Sequence, residues 1–149
     1  MGSFDIQCDV NGSVRHVFAA LSDVTRMPEW YSAVTVVTEL TAPPISRGSR
    51  FRIHRNLPGG PVINIVDVTE LEPDRVFTLT SVEGPTPFSY RYTLTPSDAG
   101  TTIALHGQIS TEGLTGPARF AGSLAPRLFA RGMEENLNRF RTMIERASA

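Results

Sequence analysis

The residues best equipped for chemistry lie on alternating stretches. Phe51, Ile53 and Arg55 share one face, with Arg50, Arg52 and His54 on the other. A guanidinium on that apolar face would polarise a ligand carbonyl or bind a carboxylate. Beside the turn at 57–61, Arg55 could instead reach solvent at a rim. In a later run Phe88, Tyr90, Tyr92 and Leu94 alternate with Ser89, Arg91 and Thr93. Tyr90 and Tyr92 are then either hydrogen-bond donors inside an apolar pocket or aromatic core with their hydroxyls at the surface. Asn64 is in phase with Val62, Val66 and Val68, whereas Ile63 and Ile65 hold the other phase. A buried amide there needs partners, and a bulge would turn it outward.

Trp30 and Tyr31 are adjacent, and each reads as pocket lining or as core anchor. Gly107 sits mid-strand on the face of Ile103, Leu105 and Ile109. It deepens a cavity or marks sheet curvature, and curvature is the preferred reading. His16, His54 and His106 are scattered, and Cys8 is the lone cysteine. That pattern lacks the clustered spacing of a metal site, so no metal and no cofactor are expected. His54 and His106 fall out of phase with the apolar faces. With no inward His, Asp or Glu, no general base is evident.

These residues must be positioned by a sheet and one helix. Phe4, Ile6, Cys8 and Val10 alternate as a half-buried strand. Ser13 is an N-cap for a short helix carrying Val14, Val17, Phe18 and Leu21. Residues 23–28 form a turn or broken second helix, and 33–40 a β-branched strand. From 49 to 111 strands alternate with short turns, which predicts an antiparallel meander. Gly116 and Pro117 then open an amphipathic helix carrying Phe120, Leu124, Leu128, Met133, Leu137, Phe140 and Ile144. Pro126 should kink it. The expected fold is α+β: one domain over residues 1–149, with about seven curved antiparallel strands around a long C-terminal helix and two short helices after the first strand. A sheet curled on a helix leaves a cavity between them. Phe51, Ile53, Val66, Phe77, Leu79, Phe88, Leu105, Phe120, Leu124 and Leu128 should line it, with an entrance near 114–126.

Bulk properties exclude other classes. The chain has 149 residues, a net charge of −1 and 14 basic residues. There is no basic excess to attract nucleic acid. No apolar run approaches a membrane span, and residues 1–10 have neither the basic nor the apolar region of a signal peptide. The expectation is a cytoplasmic monomer or homodimer.

Several short motifs recur in a familiar order. They are Val14-Arg15-His16-Val17-Phe18 with Asp23, then Met27-Pro28-Glu29-Trp30, and Gly48-Ser49-Arg50-Phe51. Val68-Thr69-Glu70-Leu71-Glu72-Pro73 follows, then Tyr92-Thr93-Leu94 with Gly100-Thr101-Thr102, and Gly132 in the last helix. On these residues, spanning nearly the whole chain, it resembles the START/Bet v 1 superfamily and its polyketide cyclase/dehydrase branch. The resemblance implies a helix-grip fold holding a small hydrophobic molecule. The aromatase/cyclases of that superfamily rely on an arginine and a tyrosine in the cavity. The resemblance points to Arg55 for the first and to the region of Tyr31-Ser32-Ala33-Val34 for the second. Two functions are therefore expected. One is a binding or cyclase-type protein for a polyketide-like molecule. The other is a non-catalytic carrier, sensor or interaction module.

Overall fold

A computed structural model describes residues 2–57, 59–110 and 125–147. Strand β1 (Gly2–Val10) leads into helix α1 (Val14–Leu21), a 3₁₀ turn (Val24–Arg26) and a short helix α2 (Met27–Trp30). Six strands follow: β2 (Val34–Glu39), β3 (Arg50–Leu57), β4 (Gly60–Glu72), β5 (Val76–Glu83), β6 (Phe88–Ser97) and β7 (Gly100–Ile109). Helix α3 (Ala125–Ala147) ends the chain.

Seven antiparallel strands form one sheet in the order β1-β7-β6-β5-β4-β3-β2. Tight turns join β3 through β7, so each strand lies beside the next. β1 closes the other edge by pairing with β7, Phe4 opposite Gly107. Ser13 caps α1 by accepting from the His16 amide at 3.2 Å. This satisfies one of the free amides of the first turn.

Alternation buries one face of every strand except the sparse edge strand β2 and β5, whose first four residues are all buried. Ile53, Val66, Leu79, Tyr90 and Leu105 point into a single apolar cluster. The outward phase carries two ion pairs, Arg50 with Asp67 and Arg91 with Glu70, and a hydrogen bond between His106 and Asp5. His106 thus lies on the outer face, as its phase requires.

Helix α3 is about 35 Å long at 1.5 Å per residue over its 23 residues. Met133, Leu137, Phe140 and Ile144 form its buried stripe. Among the strands it packs most on β1. The Cys8 thiol points at the Leu137 carbonyl, and Glu145 accepts from the Asn11 amide at 3.0 Å.

Two sequence expectations change here. Leu128 is 60% exposed, not on the inner stripe. At about 100° per residue it lies some 140° around the helix from Met133 and about opposite Leu137. Phe129 and Ala130 pack toward the core in its place. Gly107 does not open space, because the Phe4 ring fills the position a β-carbon would take, its Cζ only 2.4 Å away. Phe120 and Leu124, and all but the last two residues of the expected entrance at 114–126, lie outside the described residues.

Candidate functional site

Arg55 is buried, with 2% of its surface exposed. The rim position is therefore ruled out, and the reason lies in two turns. The β3–β4 turn places Arg55 opposite Val62, which brings Asn64 diagonally across from it. The β5–β6 turn then folds back over both. Gly84 permits this with φ +106, and any β-carbon there would meet the Ile63 carbonyl at 2.4 Å.

Asn64 Oδ1 accepts from Arg55 Nε at 3.1 Å and from Nη2 at 2.8 Å. Nη2 also reaches the carbonyls of Pro85 and Thr86 and the Thr86 hydroxyl. Asn64 is fully buried, and its Nδ2 donates to Ser81 Oγ, the Glu83 carbonyl and the Pro85 carbonyl. The β4–β5 pairing absorbs a register shift between Ile65 and Val66, so Asn64 stays in the inward phase of Val66 and Val68.

Every one of these partners is a neutral oxygen. Among the described residues no carboxylate bonds the guanidinium. Burial pulls the Arg55 pKa below its ordinary value, with Tyr31 and Tyr90 acting weakly in the opposite direction. The group is thus a positioned cation whose charge lacks a counter-ion among the described residues.

An aromatic row leads away from it. The guanidinium carbon lies 4.8 Å from the centre of the Phe88 ring, a cation–π distance. Phe88 stacks on Tyr90 at 4.9 Å, Tyr90 faces Tyr31 at 6.5 Å, and Tyr31 tilts against Trp30 at 5.8 Å. The Tyr31 hydroxyl donates to that of Tyr90 at 3.4 Å. Burial raises the pKa of Tyr31 and pushes those of Tyr90 and Tyr92 well above the ordinary value. These phenols stay protonated, which makes them donors and not bases. Tyr92 instead stacks on Phe77 at 6.0 Å.

Backbone contacts hold the far end of the row. The Tyr31 amide donates to the Met27 carbonyl at 2.7 Å, ending α2. The next amide, of Ser32, donates to Asn136 Oδ1 at 3.1 Å, and Arg139 braces the same oxygen at 3.0 Å. Trp30 packs edge-on against Phe140 at 5.3 Å. Its Nε1 is the one buried side-chain polar atom among the described residues without a hydrogen-bond partner. Leaving such a donor unpaired costs about 1–3 kcal/mol.

The remaining expected lining residues, Phe51, Ile53, Val66, Phe77, Leu79 and Leu105, are all buried in the same cluster. A cleft of about 200 Å³ opens at the other end of β3, beside Ser22, Asp23, Glu39 and Thr41, and shares only Phe51 with that set. Among the described residues no three His, Cys, Asp or Glu side chains come together as metal ligands. No helix there is long and apolar enough to cross a membrane. Thr86, Ser81 and the Pro85 carbonyl are site groups that sequence reasoning missed. The Gly84-Pro85 pair signalled a turn, but not that its oxygens face a guanidinium.

The family profile described as polyketide cyclase / dehydrase and lipid transport matches residues 1–145. The chain belongs to this family. Solved structures agree on the fold. The aromatase/cyclase ZhuI from Streptomyces sp. R1128 superposes with a TM-score of 0.83 at 18% identity, over 99% of this chain and 96% of that one. A START superfamily protein from Mycobacterium smegmatis gives 0.81 at 14% identity, over 97% and 98%. The di-domain aromatase/cyclase StfQ of steffimycin biosynthesis gives 0.76 at 17% identity, over 99% of this chain and 52% of that one. At such identities the likeness shows the helix-grip fold that the family shares. No curated protein sequence matches the chain significantly.

Proposed function

We propose that this family member binds a small, largely apolar, oxygen-bearing molecule between the sheet and α3, and that Arg55 holds one of its oxygens. The observation that carries this reading is the buried guanidinium whose described partners are all neutral. A buried cation kept without a charged partner is costly, and a ligand carbonyl, enolate or carboxylate would offset that cost. The family's cyclase and dehydrase chemistry fits the same arrangement. A β-diketone segment of a polyketide-like chain would lose its acidic α-proton to water, and the enolate oxygen so formed would be stabilised at Arg55 as its carbon attacks a second carbonyl. Tyr31 and Tyr90, kept protonated, would donate to the resulting alkoxide before water leaves. Chemistry here would come from folding the substrate against fixed donors, without a covalent enzyme intermediate.

A second reading, a non-catalytic carrier, draws on a specific feature. No His, Asp or Glu among the described residues is in the buried cluster, so the described site has donors but no base. Native mass spectrometry of protein from its own host tests the shared part of both readings. A bound small molecule, reduced in Arg55→Met protein, is the expected result. Protein that carries nothing and takes up no apolar carboxylate would sink both. Incubation with a synthetic poly-ketone then separates them: loss of water by mass, dependent on Arg55, marks the cyclase, and unchanged poly-ketone marks the carrier.

A further inference from the structure

Trp30 is the only tryptophan in the chain, and it is buried. A ring needed only to fill volume could be phenylalanine, without an N–H left unpaired. The position of that ring supplies a reason for the indole. Trp30 stands at one end of the aromatic row and Arg55 at the other, with Tyr31, Tyr90 and Phe88 between. Among the described residues the two ends carry a donor with no partner and a cation with only neutral partners.

We propose that the Trp30 Nε1–H is a ligand-binding donor, and that the ligand is an elongated apolar molecule with an acceptor oxygen at each end, one for Arg55 and one for Trp30. This rests on the pocket reading above. The aromatic lining between the two ends suits an unsaturated or ring-bearing body. A ligand oxygenated at one end only leaves one donor unpaired, and a site built around a donor discriminates against the analogue lacking the acceptor.

The test uses rod-shaped probes: benzoates and biphenyl carboxylates bearing an acetyl or an isopropyl group at the far end. The two substituents have nearly the same shape, but only acetyl accepts a hydrogen bond. In the wild-type protein the acetyl probe of the matching length should bind about two- to tenfold tighter than its isopropyl partner, the range of one net hydrogen bond. The single indole nitrogen-15 cross-peak should shift with acetyl and stay with isopropyl. Trp30→Phe should remove the preference of acetyl over isopropyl. Equal binding of both members at both lengths, with an unmoved indole peak and binding still lost in Arg55→Met, would overturn the role of Trp30 and leave the pocket standing. No binding of any probe would overturn the pocket and this inference together. The indole shift is read on wild-type protein, so the result does not depend on the variant folding.

Discussion

Asn64 Oδ1 takes the protons of both Nε and Nη2 of Arg55, at 3.1 and 2.8 Å, across the β3–β4 pair. One amide oxygen therefore orients the guanidinium without neutralising it. The amide nitrogen is in turn fixed by the Glu83 and Pro85 carbonyls, so the β5–β6 turn sets the amide's orientation. Asn64→Ala would leave a buried guanidinium short of acceptors and two carbonyls short of donors. It should destabilise the fold by about 1–3 kcal/mol in urea denaturation. A negligible change would mean that Thr86 and Pro85 suffice to hold Arg55.

Arg55→Met should act on binding and not on stability. A charged hydrogen bond is worth about 1.5–3 kcal/mol, so affinity for an apolar carboxylate should fall about ten- to a hundredfold. Stability should change little, because relief of a desolvated charge offsets the Asn64 and Thr86 oxygens left without that donor. Titration calorimetry and thermal melting separate the two effects. An unchanged affinity would remove Arg55 from the ligand site.

Gly107→Ala should be costly because of Phe4. The added methyl would sit 2.4 Å from Cζ and 2.7 Å from Cε1 of a ring that is itself packed at 6.1 Å from Tyr90. Overpacking of this kind costs about 1–3 kcal/mol. Combining it with Phe4→Leu should cost less than the sum of the single changes, since both act on the same space. Strict additivity would show that the ring relaxes freely.

Alkaline pH should weaken the fold. Tyr31, Tyr90 and Tyr92, the chain's only tyrosines, all have their hydroxyl pKa raised, in each case chiefly by burial. Above the unfolded value of about 10 the unfolded chain loses these protons while the folded chain keeps them. The unfolded state then binds fewer protons, so stability is full below that pH and falls as pH rises past it. Cys8, also raised by burial, adds the same sign from its ordinary value of 9.0. Denaturation midpoints across this range should decline less steeply in Tyr90→Phe and Tyr92→Phe. Parallel slopes would place the loss elsewhere.

The element order was legible because alternation and helical spacing are local properties. Phe51, Ile53 and Arg55 had to share a face, and so did Tyr90 and Tyr92, since successive side chains in a strand point to opposite sides. The motif order from Val14 to Gly132 also pointed to the fold and family that the profile match shows. Spacing could not say what lies across from a residue. That Arg55 meets Asn64 depends on the β3–β4 register, and Asn64 faces inward because the extra residue of the β4–β5 shift falls on β5 and leaves β4 unbroken there. That Thr86 and Pro85 cover the guanidinium depends on a turn closing over it. Leu128 left the inner stripe because a four-residue repeat drifts around a helix of 3.6 residues per turn. Spacing left cavity space and curvature both open for Gly107, and the Phe4 ring that β1 brings opposite it closes the first. Composition and periodicity determine which side of an element is buried. Register, bulges and turn conformation, set by contacts distant in sequence, decide which buried groups touch, and the chemistry of this site depends on those contacts.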